Sequence, residues 1–329
     1  MRQMTPNKLA SLKKLSNDKG VIAALAIDQR GSLKKMLAAA ANKPANEEDI
    51  VEFKKVISSE LTPYSTSILL DPEYGLPAAK LRADGTGLLV AYEKTGYDAT
   101  EPGRLPDLLE DWSVYRLKEA GADAIKFLLY YDVDEDQKIN DYKHVYMERL
   151  GSECAAEDIP FFLELVSYDA KNDDAKSPEY AKVKPHKVNE MMKEFSKPQY
   201  KVDVLKVEVP VNMAYVEGYN GDNTPVYTKE EATQYFVEQS KATDLPFIFL
   251  SAGVSAKMFQ DTLKFAHAAG SQFNGVLCGR ATWANGIEVF AKDGEEAGKE
   301  WMNTVGKKNI EELNAVLAET AVPYFDKIK

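Results

Sequence analysis

Eight strand-length apolar runs, separated by longer amphipathic stretches, constrain this chain more than any other feature. The runs occupy residues 21–28, 67–71, 87–93, 124–131, 160–167, 204–210, 247–253 and 275–280. Short apolar runs alternating with helical patterns mark repeated βα units, whose strands lie parallel. Right-handed crossovers either close such strands into a barrel or wind them into an open sheet. The count of eight favours an α/β fold of the (β/α)8 barrel kind. No low-complexity stretch or linker interrupts the pattern. Residues 1–329 are therefore expected to form one barrel, with an N-terminal helical extension and C-terminal helices.

Local signals place several helices. Asn46-Glu47-Glu48 opens an apolar-periodic stretch, and Ala120-Gly121 closes one that begins near Leu108. Thr228, three residues before Glu231, fits a capping box for a helix over 228–241. The charged segment 167–200, with its Lys-Asn-Asp-Asp-Ala-Lys-Ser-Pro stretch, reads as a long solvated loop, the alternative being a mobile lid.

Composition excludes several classes of function. A net charge of −11 disfavours nucleic acid or an anionic membrane as partner, because lysine and arginine dominate such binding. The opening Met-Arg-Gln-Met-Thr-Pro-Asn-Lys lacks an apolar signal region, and no run of about 18 apolar residues follows, so a cytoplasmic protein is expected. Cys154 and Cys278 stand far apart, and His144, His186 and His267 are scattered singly. That spacing suits neither a disulfide framework nor a metal site.

Charged residues interrupt strands that should be continuously apolar if buried on both faces. Asp28, Asp71 and Glu93 end the first three runs. Lys126 lies inside the fourth, Glu164 inside the fifth, and Lys206 with Glu208 inside the sixth; Ser251 and Arg280 fall near the ends of the last two. Ionised groups in such positions are expensive unless paired or used. Paired interior charges would produce the same local pattern, but three consecutive strands each carrying one favour function, since barrel enzymes gather their chemistry from several strand ends. Asp71 and Glu93 carry weaker claims, as strand-end turn residues or caps.

Two lysines and a carboxylate converging on one cavity suit amine chemistry on a carbonyl. A lysine attacks only when unprotonated, and a neighbouring cation such as Lys126 would favour the neutral form of Lys206. Glu164 is placed to shuttle protons during carbinolamine formation and dehydration. The resulting iminium is an electron sink for cleavage of a nearby C–C bond, with Asp28 or Glu164 available to take a hydroxyl proton. Phe-Leu-Ser-Ala-Gly-Val-Ser at 249–255 and Leu-Cys-Gly-Arg-Ala at 277–281 lie where barrels often bind phosphate. There Gly253 and Gly279 let the backbone approach an anion, and Arg280 offers a planar charged fork. The turn Asp28-Gln29-Arg30-Gly31-Ser32 is a candidate for a second phosphate, with Ser32 alternatively capping the next helix.

Four segments carry a resemblance: Lys-Leu-Ala-Ser-Leu-Lys-Lys-Leu-Ser near the start, Gly-Val-Ile-Ala-Ala-Leu-Ala-Ile-Asp-Gln-Arg-Gly-Ser, Leu-Lys-Val-Glu-Val-Pro and Leu-Cys-Gly-Arg-Ala-Thr-Trp. Together they resemble the class I tagatose 1,6-bisphosphate aldolases of Gram-positive lactose and galactose breakdown, across nearly the whole chain. The resemblance implies a single TIM-type barrel, no metal or organic cofactor, and cleavage to dihydroxyacetone phosphate and glyceraldehyde 3-phosphate. It implies Lys206 as the Schiff-base lysine, Glu164 as the acid/base beside it, and Asp28 and Lys126 as active-site partners. It also implies Gln29, Ser251, Gly253 and Arg280 as substrate contacts.

Three other readings remain open on the residues alone. One is a class I aldolase for another ketose bisphosphate, such as fructose 1,6-bisphosphate. Another is a metal-dependent enzyme using Asp71, Glu93 and a histidine. The third is a non-catalytic sugar-phosphate sensor that contacts a protein partner. A homodimer through exposed barrel helices is expected, although no repeated apolar seam marks the surface.

Overall fold

The computed structural model describes residues 3–94 and 101–328. Eight parallel strands close on themselves in sequence order: β1 (Ile22–Ala26), β2 (Ser67–Leu70), β3 (Gly87–Ala91), β4 (Ala124–Tyr131), β5 (Phe161–Ser167), β6 (Val204–Val207), β7 (Phe247–Leu250) and β8 (Gly275–Cys278). The β1–β8 seam completes the circle with Ile22 opposite Gly275 and Leu25 opposite Cys278. Gly275 is required there: its φ is +141°, and a Cβ would lie 1.9 Å from the Ile22 carbonyl oxygen. Closure of the ladder leaves no exposed edge among the strands. All eight expected strands are present in a TIM barrel.

Several expected strands overrun the observed ones at their carboxyl ends. Asp28, Asp71, Glu93, Glu208, Ser251 and Arg280 all fall just beyond the last ladder residue. The chain leaves the sheet there because polar side chains at the barrel mouth are better used against other side chains than inside a packed ladder.

Side-chain alternation builds two apolar layers. Inward positions such as Ala24, Leu69, Leu89, Ala124, Phe162, Val204, Ile248 and Leu277 fill the lower barrel. Outward positions such as Leu25, Ile68, Val90, Phe127, Leu163, Leu205, Phe249 and Val276 pack against the surrounding helices. Leu12 and Leu15 seal the amino-terminal end of the barrel: Leu12 lies on the helix Pro6–Lys14 and Leu15 just after it. Lys8 on the same helix is tied to Asp203 at 2.7 Å. With that end closed, the open chemistry lies at the carboxyl ends of the strands.

Three local expectations need correction. The stretch 167–200 is no long loop, because Pro178–Phe195 is an 18-residue helix, capped by Ser177 and started by Pro178. Its apolar face, with Tyr180, Ala181, Val188, Met191, Met192 and Phe195, is buried, and Pro185 is tolerated inside it. The helix that ends at Ala120 begins at Val114 with a Ser113 cap, well after Leu108. Ser32 lies inside the helix Gly31–Ala41 and does not cap it; Arg30 holds that place. The caps at Asn46 and Thr228 both form reciprocal capping boxes, with Asp49 and Glu231.

Candidate active site

Parity along the strands brings the charged residues together. Counting inward positions in twos, Ala24 and Ala26 lead to Asp28, Leu89 and Ala91 to Glu93, Ala124 to Lys126, Phe162 to Glu164 and Val204 to Lys206. The register sets Glu164 beside Lys206 across β5 and β6, and Lys126 beside Ala91 across β4 and β3.

Lys126 is fully buried and sits among three carboxyls. Its Nζ donates to Asp28 Oδ2 at 2.9 Å and Glu93 Oε1 at 2.5 Å, and pairs with Glu164 Oε2 at 2.8 Å. An ammonium has three N–H donors, so this arrangement saturates it. The other oxygen of Glu164, Oε1, lies 2.8 Å from Lys206 Nζ. One carboxylate thus bridges two buried lysines, the second of which is 4% exposed.

The electrostatics follow from that geometry. Burial works to lower the Lys126 pKa, but Asp28, Glu164 and Glu93 together hold it well above the ordinary lysine value. Burial likewise works to raise Asp28 and Glu164, and the ammonium groups of Lys126 and Lys206 overcome it, keeping both below the usual carboxylate range. Glu93 goes the other way: burial raises its carboxyl, and Lys126 only partly offsets this. Lys126 was expected to act as a cation beside Lys206. In the structure it is above all the hub that orients three carboxyls.

The candidate phosphate residues also converge. Ala252 and Gly253 have φ of +49° and +76°, turning the chain sharply after β7. A Cβ on Gly253 would lie 3.0 Å from Arg280 Nη2, so the guanidinium lies directly over this glycine. Gly279 passes close to β1, where a Cβ would meet the Ala26 carbonyl oxygen at 2.9 Å. Ser251 is buried, and Ser255 caps the helix Ala256–Ala268 that follows. Backbone amides, a small-residue turn and one arginine therefore share one corner of the mouth. Beside that corner, since β1 pairs with β8, Gln29 keeps a buried Oε1 without a hydrogen-bond partner among the described residues. Arg30 is committed elsewhere, to the Glu73 carboxylate and the Glu93 carbonyl oxygen.

Two charged residues in the runs do not join the cluster. Asp71 is fully buried and paired with Lys54, which reaches in from the helix Glu47–Leu61 and also donates to the Ile27 carbonyl at 2.8 Å. Glu208 accepts from Ser167 and pairs with Lys184 at 3.0 Å. The histidines are engaged elsewhere: His144 with Tyr131, His186 with Asp134 and His267 with the Thr320 carbonyl. The metal-dependent reading therefore finds its carboxylates already held by lysines and its histidines dispersed. Sequence reading missed Arg104, whose guanidinium lies 5.4 Å from the Tyr130 ring centre and 4.8 Å from that of Tyr168, after β5. Nothing local marks it, because its partners lie on later strands.

Comparison with known proteins gives the family. Residues 22–285 match the family model described as DeoC/LacD family aldolase. The chain belongs to this aldolase family. It is 67% identical over 329 residues to tagatose 1,6-diphosphate aldolase 2 of Enterococcus faecalis, covering 100% of this chain and 99% of that one. It is 60% identical over 320 residues to tagatose 1,6-diphosphate aldolase of Staphylococcus epidermidis, covering 97% and 98%. The aldolase also shares its fold with a Plasmodium falciparum fructose-bisphosphate aldolase, solved in complex with TRAP and a small-molecule inhibitor. That likeness has a TM-score of 0.72 at 16% identity, with 97% of each chain covered. The aldolase is therefore a lyase built on a TIM barrel.

Proposed function

We propose that this aldolase reversibly cleaves tagatose 1,6-bisphosphate into dihydroxyacetone phosphate and glyceraldehyde 3-phosphate through a Schiff base on Lys206. The observation that carries the reading is the single buried carboxylate of Glu164, 2.8 Å from each of two lysine amines. The relatives at 60–67% identity over the whole chain bear the name of that sugar, which supports the choice of substrate.

The chemistry follows from the positions. Lys206 Nζ attacks the C2 carbonyl of the open-chain ketose, and Glu164 moves the protons that convert carbinolamine to iminium as water leaves. The iminium draws the electrons of the C3–C4 bond as Asp28 or Glu164 takes the proton of the C4 hydroxyl. Glyceraldehyde 3-phosphate departs, and protonation of the enamine followed by hydrolysis releases dihydroxyacetone phosphate. The protein's own groups supply every proton transfer in this scheme.

The phosphates have natural places. C1 is one bond from the carbon attached to Lys206, so its phosphate must lie close to β6. Ser251, Gly253, Gly279 and Arg280, at the ends of the neighbouring β7 and β8, suit it. The aldehyde half then extends away from that corner, over the carboxyls that surround Lys126, Asp28 among them. None of the helices among the described residues is long and apolar enough to cross a membrane, and Cys154 and Cys278 are buried free thiols. Both features suit the cytoplasm.

The test is borohydride reduction in the presence of dihydroxyacetone phosphate and a chelator, followed by peptide mapping of the wild type and Lys206→Met. A reduced adduct on Lys206 that vanishes in the variant is expected, with cleavage of tagatose 1,6-bisphosphate measured beside fructose 1,6-bisphosphate. Cleavage that proceeds without any adduct would overturn the mechanism.

A further inference from the structure

Glu93 is a third carboxyl on one ammonium, and the scheme above does not use it. Its Oε1 accepts from Lys126, while its Oε2 is buried with no hydrogen-bond partner among the described residues. A buried oxygen left in this state is costly unless something binds it.

The three carboxyls around Lys126 are not equivalent. Asp28 and Glu164 feel the charges of both Lys126 and Lys206, and Glu93 those of Lys126 and Arg30. The anionic Asp28 acts on Glu93 and Glu164 alike, but of the three acids Glu93 is the one whose second oxygen is buried without a partner among the described residues. Several like charges crowded into a buried site do not all ionise, and the proton settles on the group whose oxygens are least well partnered. Burial raises the Glu93 carboxyl accordingly. With Oε1 accepting from Lys126, the proton belongs on Oε2, which then presents an O–H donor without an acceptor.

Position indicates the acceptor. Lys206 and the phosphate corner occupy β6 to β8, and Glu93, at the end of β3, stands across the mouth of the closed barrel from them, on the side toward which the aldehyde half of the sugar extends. The atom of that half whose charge changes most is O4, a hydroxyl in the sugar, an alkoxide as the C–C bond forms or breaks, and a carbonyl oxygen in the aldehyde. A neutral acid can donate to O4 in all three forms, whereas an ionised one would repel the alkoxide.

We propose that Glu93 is a further catalytic residue of the aldolase, a neutral carboxylic acid whose Oε2–H donates a hydrogen bond to the C4 oxygen. This inference rests on the Schiff-base reading. No proton leaves Glu93 in the cycle; it holds and polarises the aldehyde oxygen while Asp28 or Glu164 exchanges the proton.

The experiment compares two reactions of the same enamine in Glu93→Gln, Glu93→Leu and wild type. The first is solvent deuterium exchange at C3 of dihydroxyacetone phosphate alone, which involves no C4 oxygen. The second is condensation of dihydroxyacetone phosphate with glyceraldehyde 3-phosphate, which does. Loss of one such donor typically slows catalysis by about 10²–10³-fold, so the ratio of exchange to condensation should rise about 100-fold in Glu93→Leu. In Glu93→Gln, whose Oε1 accepts from Lys126 and whose Nε2–H donates, the ratio should rise less than about tenfold. Equal slowing of both reactions in Glu93→Leu, or a ratio in Glu93→Gln matching that in Glu93→Leu, would overturn the proposal. Failure of the Schiff-base reading shows separately, as a missing borohydride adduct on wild-type Lys206.

Discussion

Replacing Lys126 with methionine removes an ammonium from among three carboxyls and keeps the length of the side chain. The residue is fully buried, and its partners Asp28, Glu93 and Glu164 lie within 2.9 Å of it. Breaking a buried ion pair by deleting one partner costs about 3–5 kcal/mol, because the remaining charge is left uncompensated. Unfolding entropy of about 2.1 cal/mol/K per residue amounts to about 0.7 kcal/mol/K for 329 residues, so the melting temperature should fall by about 4–7 °C. The deficit should depend on pH with a definite sign. In the wild type the folded-state pKa values of Asp28 and Glu164 are depressed, so their stabilising contribution is present above the ordinary carboxylate values of about 4 and is lost only well into acid. The raised pKa of Lys126 contributes below the ordinary lysine value of about 10.4 and is lost only above its folded value, so it is constant across this window. Without the ammonium, burial pushes the carboxyls up, the folded variant takes up protons more readily than its unfolded chain, and acid relieves the penalty. Thermal and denaturant unfolding followed by circular dichroism should therefore show a larger deficit at about pH 7.5 than at about pH 5. A variant that melts within about 1 °C of wild type near neutrality, or whose deficit grows on acidification, would refute the reasoning.

Two further outcomes follow from neighbouring geometry. Lys54→Met leaves Asp71 buried and unpaired, so a loss of about 3–5 kcal/mol is expected, and the double replacement with Asp71→Leu should recover most of it. Unchanged denaturant midpoints in the single variant would contradict a structural role for that pair. Gly253→Ala places a Cβ at φ +76° and 3.0 Å from Arg280 Nη2. It should cost about 1 kcal/mol in stability and raise the KM for the bisphosphate more than it lowers kcat, which steady-state kinetics would detect.

How much of this was legible beforehand differs between residues. Lys126, Glu164 and Lys206 announced themselves because a charge in the middle of an apolar strand has no innocent solvent-facing alternative in a parallel sheet buried on both sides. Asp28 was legible as the end of such a strand. Asp71 and Glu93 looked alike in sequence, each an acid closing an apolar run, yet one pairs with a helix lysine behind the barrel and the other with Lys126 inside it. Glu208 likewise sits two residues beyond Lys206, on the parity that points inward, and still turns to Ser167 and Lys184. The helix Pro178–Phe195 was hidden by Pro185 and by the charged stretch before it, and its evidence is the apolar face it buries against the barrel.

The sequence by itself determined the eight βα units, the inward register of the three central charges and the glycines that allow close approach, because period, parity and steric freedom are properties of the chain within a few residues. Which carboxyl serves which lysine, which carboxyl burial raises and which the lysines lower, and where Arg104 and Arg280 lie were decided only by the closed barrel. Those properties depend on distances of a few ångströms between residues far apart in sequence, and on burial, and both come into existence only when the strands meet.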